Sequence, residues 1–252
     1  TYVAPHELWF WGCWWIDSIL RNKCDEIVVL YPFEKEWYKN HEVETSFHGY
    51  PFYGKFTPFF DASKKKKNQI AFLIGSRPST VKMTLPLYAE VIRLLQNTYP
   101  ELTMLIPVAE SISLDYVKTT FKELFCDIKR MKFTQNENEK YKELAHSCLA
   151  VTFPGTVTLE LALLKTPTIV TCKLPFLSYW LSRIVVQQEF VALPNILMNK
   201  ELFRELIQDD CNEDTILKEV QIIYESFKNK RNSYQYMINE LEEVRKILAP
   251  IS

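Results

Sequence analysis

From residue 69 onward, short apolar runs alternate with amphipathic stretches of helix length. Uninterrupted apolar runs are typical of parallel strands buried on both faces, whereas apolar positions three or four residues apart indicate helices. The pattern predicts strands at 70–74, 102–108, around Ile128, at 149–152 and at 168–171. It predicts helices at about 81–98, 114–124, 137–147 and from Val157 to just before Pro167. This β-α-β-α order predicts an α/β protein with a Rossmann-like, doubly wound parallel sheet.

The two ends of the chain do not follow this alternation. Residues 1–60 are rich in aromatic side chains, and a strand-like stretch runs from 26 to 31. The tryptophans of its first part are Trp9, Trp11, Trp14 and Trp15. Two prolines and the lysine run 64–67 then indicate a solvated linker near 52–67. The tail from 215 to 248 is charged and helical in pattern.

Charge and cysteine usage narrow the classes of function. The chain of 252 residues has 30 basic and 31 acidic side chains, and this balance argues against a general nucleic-acid-binding protein. Its six cysteines contain no Cys-x-x-Cys pair and its four histidines no metal-ligand spacing, so neither a zinc site nor a disulfide framework is predicted. Several cysteines lie in apolar segments and are predicted to be buried free thiols, which is typical of a protein in the reducing cytoplasm. No apolar run reaches the roughly 18–20 residues of a membrane span.

Two predicted loops follow strands and carry groups suited to an anion. Open α/β sheets bind ligands beyond the carboxyl ends of their strands, near helix N-termini. The loop 75–77, Gly-Ser-Arg, combines a backbone that a ligand can approach with an arginine that can fork onto phosphate. The loop 154–156, Pro-Gly-Thr, precedes a helix whose first amides favour a diphosphate, and Glu160 one turn on can accept ribose hydroxyls. The spacing by itself also allows both loops to be simple turns and Glu160 to be an ordinary surface glutamate.

Two further segments combine polar and apolar chemistry. Asn195 lies within the apolar segment 193–197, where its amide needs partners, and it either satisfies local backbone groups or holds a ligand. The stretch 176–186, Phe-Leu-Ser-Tyr-Trp-Leu-Ser-Arg-Ile-Val-Val, is apolar and aromatic with one cation. It is either domain core or a helix lying on a membrane or acyl-chain surface.

These segments contain short motifs that follow one another in a fixed order along the chain. They are Phe-Leu-Ile-Gly-Ser-Arg at 72–77 with Leu-Pro-Leu at 85–87, Gly-Thr-Val-Thr-Leu-Glu at 155–160, Leu-Ser-Tyr-Trp-Leu at 177–181, and Leu-Pro-Asn-Ile-Leu at 193–197 with an acidic stretch to 210. Upstream stand Tyr-Pro-Phe-Glu at 31–34 and Gly-Tyr-Pro at 49–51. With these motifs the chain resembles the bacterial lipid-A-disaccharide synthases over nearly its whole length.

The resemblance implies a GT-B-type glycosyltransferase. Such enzymes transfer 2,3-diacylglucosamine from UDP-2,3-diacylglucosamine to 2,3-diacylglucosamine 1-phosphate and release UDP, with no cofactor or metal. Residues 68–230 would be the Rossmann-like donor-binding domain, residues 1–60 the remainder of the acceptor-side α/β domain, and residues 231–252 a C-terminal helix packing back toward it. The resemblance also implies a peripheral protein on the cytoplasmic face of the inner membrane, and it leaves a homodimer open.

The same motifs predict the residues of the donor site. By resemblance, Arg77 acts in catalysis by stabilising charge on the departing UDP. The predicted UDP contacts are Gly75, Ser76, Gly155, Thr156, Glu160, Asn195 and Glu201. The chain has no Asp-x-Asp pair for a metal, so Arg77 and a helix N-terminus take the place of a cation.

Three positions depart from the family's motifs. Pro154 replaces a serine before the second loop, Thr80 a glutamate after the first, and Tyr50 the histidine of Gly-His-Pro. The family's N-terminal glycine-rich and aspartate-bearing segments, which supply the general base, have no match in a chain that opens at Thr1. We therefore expect the chain to be part of a longer protein, and to bind UDP by itself without efficient turnover.

Two alternatives remain open from the sequence. Another UDP-sugar enzyme of the same fold, a 2-epimerase or a cell-wall glucosaminyltransferase, shares a ribose-binding glutamate but does not predict the segments 176–181 and 193–197. A catalytically incomplete UDP-binding module also remains open, because of the three departures and the unmatched base.

Overall fold

The computed structural model describes residues 2–3, 23–61, 66–173 and 189–251. Its strands are β1 (Tyr2–Val3), β2 (Ile27–Val28), β3 (Lys67–Leu73), β4 (Thr103–Pro107), β5 (Met131–Thr134), β6 (Ser147–Thr152), β7 (Thr168–Cys172) and β8 (Arg204–Ile207). Strands β3 to β8 form a parallel sheet in the spatial order β5-β4-β3-β6-β7-β8, and β1 pairs with β2 outside it. The order runs outward in both directions from the β3–β6 pair, so the predicted doubly wound α/β class is confirmed.

The helices connect these strands. They are α1 (Pro32–Asn40), α2 (Tyr53–Phe56), α3 (Pro78–Thr98), α4 (Leu114–Glu123), α5 (Glu137–His146), α6 (Val157–Leu163), α7 (Leu193–Met198), α8 (Glu213–Lys228) and α9 (Asn232–Leu248). Polar residues cap several of them by accepting from a first-turn amide that has no partner inside the helix. Asn136 accepts from Glu139 N at 2.9 Å to begin α5, and Asn212 accepts from Thr215 N at 2.9 Å to begin α8.

Strand β3 divides the interior into two cores. Ile70 and Phe72 enter the core under α3, α4 and α8, whereas Ala71 and Leu73 enter the core under α5, α6, α7 and α9. All four side chains are at most 7% exposed. Because helices cover both faces of the sheet, the strand is buried at consecutive positions, and this explains the uninterrupted apolar run that predicted it.

Residues 23–61 and the C-terminal helix pack on the second core. The shared cluster includes Tyr31, Tyr50, Phe56, Leu159 and Leu248. The amide of Tyr50 donates to the carbonyl of Leu248 at 2.9 Å. Gly49 has φ +100°, and a Cβ there would lie 2.5 Å from Cα of Pro250, so only glycine lets the chain after α9 pass this close. These contacts cross the predicted domain boundaries, and the division into 1–60, 68–230 and 231–252 stays a prediction.

The stretch predicted as a linker near 52–67 has regular structure and some buried side chains among the residues described within it. Helix α2 and a 3-10 turn at 57–59 occupy this stretch. Phe56 is 2% exposed and packs on Tyr141, with ring centroids 5.1 Å apart. The ammonium of Lys66 donates to the carbonyl of Ala145 at 2.8 Å and to Oγ1 of Thr166 at 3.2 Å. Aromatic burial and these hydrogen bonds hold the segment against the sheet.

Three strands differ from their prediction. The strand expected around Ile128 begins at Met131, after a 3-10 turn at 128–130. The strand expected at 26–31 is reduced to β2. Strand β8 was not predicted, because Leu206 is its only fully buried residue and it shows no apolar run. Its extended form follows from pairing with β7, where Val170 lies opposite Glu205.

The tryptophans at 9–15 and the apolar stretch 176–186 lie outside the described residues. Within the described ranges, no helix is both long and apolar enough to cross a bilayer. In the same ranges, no group of three histidine, cysteine or carboxylate side chains is arranged to hold a metal ion. The described cysteines carry free thiols, as predicted, at Cys24, Cys126, Cys148, Cys172 and Cys211.

Candidate functional site

The carboxyl ends of β3 and β6 lie side by side where the strand order changes direction. The two strands are hydrogen-bonded neighbours, with Leu73 opposite Thr152. Helices α3 and α6, which follow them, cover opposite faces of the sheet. A crevice therefore opens between the loops that leave these strands, and this is where open α/β sheets bind ligands. The fold brings the predicted loops 75–77 and 154–156 together at this point.

Gly75 holds a backbone conformation that side chains rarely adopt. Its φ is +95°, and a Cβ there would lie 2.7 Å from Cγ2 of Thr80 in α3. Thr84, one turn further, donates from Oγ1 to the carbonyl of Ile74 at 2.6 Å and fixes the start of the loop. Thr80 stands where the family has a glutamate, and its methyl group here fills the space beneath the loop. The loop is therefore a fixed backbone cradle.

Ser76 and Arg77 complete this loop and face solvent. The carbonyl of Ser76 accepts from Oγ of Ser111 at 3.0 Å, which ties the loop after β4 to the loop after β3. Arg77 is exposed, and its guanidinium makes no hydrogen bond or ion pair with any residue that the structure describes. Such an arginine can donate two parallel N–H hydrogen bonds to the phosphate oxygens of a ligand.

Gly155 and Thr156 are exposed at the start of α6. Among the described atoms, none lies within 4 Å of where a Gly155 Cβ would stand, so the space above this residue is open. The carbonyl of Gly155 turns into the helix and accepts from Thr158 N at 3.0 Å and Thr158 Oγ1 at 2.8 Å. The amides from Thr158 to Glu160 donate inside this turn, so among the described first-turn groups the amide of Val157 remains for an anion. Pro154 provides no hydroxyl in place of the family's serine.

The side chain of Glu160 extends from α6 toward Lys140 of α5. Its side chain is 20% exposed, and Nζ of Lys140 in α5 lies 3.7 Å from its Oε2. The Tyr141 hydroxyl donates to Oε1 of Glu137 at 3.3 Å. Oε2 of Glu160 is buried and receives no hydrogen bond from the described part of the protein. A buried oxygen without a hydrogen bond is uncommon in folded proteins, and the part of this side chain that stays exposed is what a ligand can reach.

The charge of Glu160 also acts on two phenols. Burial, and then the Glu160 carboxylate, raises the pKa of Tyr50 to about 12. The same two causes, in the same order, raise the pKa of Tyr141, and Glu137 adds to them. Both hydroxyls therefore stay protonated at neutral pH. Tyr50, which stands where the family has a histidine, keeps a hydrogen-bond donor close to Glu160.

Asn195 is enclosed within the protein, and the predicted direct contact with UDP must be corrected. The residue is 0% exposed. Its Nδ2 donates to Phe203 O and to Glu205 Oε1, each at 2.8 Å. Its Oδ1 accepts from Leu202 N at 3.0 Å and from Phe203 N at 2.7 Å. These bonds use both hydrogens and both lone pairs of the amide, so no polar atom remains for a ligand.

Glu201 lies at the opposite edge of the sheet from the two loops. It precedes β8, at the amino end of that strand, whereas the loops follow carboxyl ends of strands parallel to β8. Its carboxylate is exposed and pairs with Arg204, with Oε1 3.0 Å from a guanidinium nitrogen. The structure does not bring Glu201 to the other predicted contacts. Strand β8 begins near Glu201 and runs toward the end of the sheet where the crevice lies.

Two lysines that the sequence analysis did not single out flank the crevice. Lys140 meets Glu160 from a different helix. Lys173 directly follows β7 and lines a cleft of about 260 Å³ beside α3. Other lining residues of this cleft are Phe153, Thr171, Cys211 and Glu213. Neither lysine belongs to a motif, and only the packing of neighbouring elements reveals them.

Comparison with known sequences identifies the family. The sequence model of the lipid-A-disaccharide synthetase family matches residues 1–249. A lipid-A-disaccharide synthase of Francisella philomiragia is 31% identical over 254 residues, which cover 96% of this chain and 64% of that protein. A lipid-A-disaccharide synthase 1 of Legionella pneumophila is 28% identical over 98% of this chain and 64% of its own length. The chain thus spans about 64% of the length of these relatives.

Solved structures share the fold at low sequence identity. A UDP complex of MnaA from S. aureus aligns with a TM-score of 0.60 and 9% identity over 92% of this chain and 58% of its own. A UDP-GlcNAc 2-epimerase from Neisseria meningitidis, bound to UDP-GlcNAc, gives a TM-score of 0.54 and 11% identity over 99% of this chain and 62% of its own. At such identity the likeness shows only the fold, which is the GT-B type. The family match over nearly all residues shows more: the chain belongs to the lipid-A-disaccharide synthetase family.

Proposed function

We propose that this chain carries the donor-binding part of a lipid-A-disaccharide synthase. In the proposed reaction, a hydroxyl oxygen of 2,3-diacylglucosamine 1-phosphate attacks the anomeric carbon of UDP-2,3-diacylglucosamine. The bond from that carbon to UDP breaks, and UDP leaves with the bonding electrons. The hydroxyl proton passes to a base, for which we assign no residue in this chain. Family membership and the names of the aligned relatives favour this activity over that of a 2-epimerase.

One observation carries the proposed nucleotide site. Two loops meet at the switch point of the sheet, and the partly exposed carboxylate of Glu160 stands in the helix after the second. We propose that Arg77 binds the diphosphate and that Glu160 accepts ribose hydroxyls. The proposed backbone contacts to the diphosphate are Gly75, Ser76, Gly155 and Thr156. A solved protein of the same fold, MnaA, binds UDP, which supports a uridine nucleotide as the ligand.

Rate acceleration in this scheme comes from stabilised charge on the leaving group. Negative charge grows on the diphosphate as the bond to the anomeric carbon breaks. In the proposal, the amide of Val157 at the start of α6 and the guanidinium of Arg77 face that charge from two neighbouring loops. Donors that are already in position lower the barrier because they need no reorganisation during the reaction.

Acylated substrates need an apolar surface, and we propose that residues 50–60 supply part of it. Phe52 is 58% exposed and packs on Tyr50 with ring centroids 5.6 Å apart. Because Tyr50 belongs to the same buried cluster as Leu159, the residue before Glu160, this ring lies on the side of the sheet that carries α6. We further propose a peripheral position on the cytoplasmic face of the inner membrane, with the stretch 176–186 as a second apolar contact. A homodimer, which the resemblance leaves open, is tested by light scattering.

Calorimetric titration of UDP tests the proposed site. Glu160→Ala should weaken UDP binding by about 1–3 kcal/mol through the loss of charge-assisted hydrogen bonds. Glu201→Ala is the matched control, because it removes the same charge at the opposite edge of the sheet. Equal affinities in the wild type and Glu160→Ala, or equal losses in both variants, would remove Glu160 from the site.

Turnover is a separate prediction. With both acylated substrates present, the 252-residue chain should release UDP at or near the background rate, because none of its residues is assigned as the base. Robust release of UDP by this chain would show that the base lies within it.

A further inference from the structure

We propose that Lys140 is a positioning residue for nucleotide binding. Its ammonium attracts the buried Oε2 of Glu160 and orients the carboxylate, so that the exposed part of the group can receive a ribose hydroxyl. The proposal rests on the proposed function, because it assumes that Glu160 binds ribose. It assigns a role to a residue on α5, outside the motifs that carry the family resemblance.

The two side chains are close enough to attract each other and too far apart to hydrogen bond. Nζ of Lys140 lies 3.7 Å from Oε2 of Glu160, whereas hydrogen bonds between charged groups measure about 2.7–2.9 Å. The side chains are 27% and 20% exposed, so water and salt screen the pair less than a pair at the surface. Lys140 therefore attracts the carboxylate without forming a hydrogen bond to it.

Tyr141 holds the ammonium from the other side. Nζ of Lys140 lies 4.2 Å from the centroid of the Tyr141 ring, within the range of a cation–π interaction. The ring is 2% exposed and packs on Phe56 and Phe59, with centroids 5.1 and 5.9 Å away. The ammonium therefore lies within reach of both the Tyr141 ring and the Glu160 carboxylate.

Another ion pair of the same helix shows what a purely stabilising pair looks like. Nζ of Lys55 lies 2.8 Å from Oε1 of Glu137 and makes a hydrogen bond with it. The Lys140–Glu160 pair stays longer although its atoms are more buried. Lys55 also lies over the Tyr141 ring, 5.2 Å from its centroid, so the distance to the carboxylate and not the ring contact separates the two pairs.

The preference for UDP over 2′-deoxy-UDP tests this role. Both ligands carry the same diphosphate, so a general loss of positive charge weakens both equally, and the ratio of their dissociation constants reports on the ribose contact alone. Calorimetry on the wild-type chain should give a preference for UDP of about tenfold, equivalent to about 1.4 kcal/mol. Glu160→Gln and Lys140→Met should both abolish the preference, and Lys140→Arg should keep most of it. Lys142→Met, which removes the same charge from an exposed position of α5, should keep all of it.

The outcomes separate the two proposals. If Glu160→Gln abolishes the preference while Lys140→Met retains it, the role of Lys140 is overturned and the ribose contact stands. Equal weakening of both ligands in Lys140→Met also overturns it, since the lysine would then act on the diphosphate. If the wild type shows no preference, or Glu160→Gln retains it, the ribose contact of the proposed function fails and the role of Lys140 with it. Melting temperatures check that each variant is folded, and Lys140→Gln replaces Lys140→Met if the latter is not.

Discussion

Replacing Asn195 by alanine should destabilise the protein and leave the affinity of the folded molecules for UDP unchanged. The amide is 0% exposed, between α7 and the start of β8. Without it, the amides of Leu202 and Phe203 lose their acceptor. The carbonyl of Phe203 and the carboxylate of Glu205 each lose a donor. The change therefore leaves several polar groups without partners in a place that water does not reach.

The magnitude follows from these lost bonds. A buried polar group left without a partner costs about 1–3 kcal/mol. A plain sum over the affected groups is too large, because Glu205 keeps hydrogen bonds from the amides of Val191 and Ala192 at 2.9 to 3.1 Å. We expect a loss of about 3–5 kcal/mol, at the upper end for single substitutions. Such a loss is a large part of the roughly 5–15 kcal/mol that stabilises a typical domain.

Urea unfolding followed by circular dichroism measures the stability, and calorimetry at low temperature measures UDP binding by the folded fraction. Asn195→Asp is the control of equal shape. It sets a second carboxylate 2.8 Å from Oε1 of Glu205, so the folded pair retains a proton that the unfolded chain releases, and stability should fall as pH rises from about 5 to 8. An Asn195→Ala protein with the wild-type urea midpoint and weakened UDP binding would refute the reasoning, because the amide would then touch the ligand.

Four further predictions follow from single side chains. Burial lowers the pKa of Lys66 to about 7. Between pH 7 and about 10 the folded state therefore binds fewer protons than the unfolded chain, and the stability should rise with pH. Urea midpoints measured at pH 6.5 and 9 should show a larger rise in the wild type than in Lys66→Met. Gly75→Ala, whose Cβ would lie 2.7 Å from Thr80 at a positive φ, should lower the melting temperature and weaken UDP binding about tenfold or more, and unchanged calorimetry would contradict the fixed cradle. Arg77→Ala should weaken UDP binding about tenfold and, where turnover is measurable, lower kcat about 10²-fold; an equal loss for uridine, which has no phosphate, would count against a diphosphate contact. Trp180→Ser should reduce co-sedimentation with liposomes at a near-wild-type melting temperature, whereas a large fall in melting temperature with binding intact would favour a core position.

The alternation of apolar and amphipathic stretches was sufficient to predict a parallel sheet and the end of it where the candidate site lies, although it did not predict β8. Strands β3, β4, β6 and β7 are buried nearly throughout, so their apolar runs are visible without knowledge of what covers them. The loops 75–77 and 154–156 follow two of these strands directly. Because parallel strands end at one edge of a sheet whatever their order, the sequence by itself determined the fold class and the position of these loops.

The partners of individual polar side chains were decided only by the tertiary structure. Asn195 has the same neighbours in sequence whether it holds a ligand or the backbone before β8, and Glu201 is close to it in the chain but lies at the edge away from the loops. Lys66 meets the carbonyls of residues 145 and 164, and Lys140 meets Glu160, across separate elements. A pattern along the chain reports that a residue is buried or exposed. Which atoms meet it depends on how helices and strands pack, and a hydrogen bond is made or lost over a few tenths of an ångström.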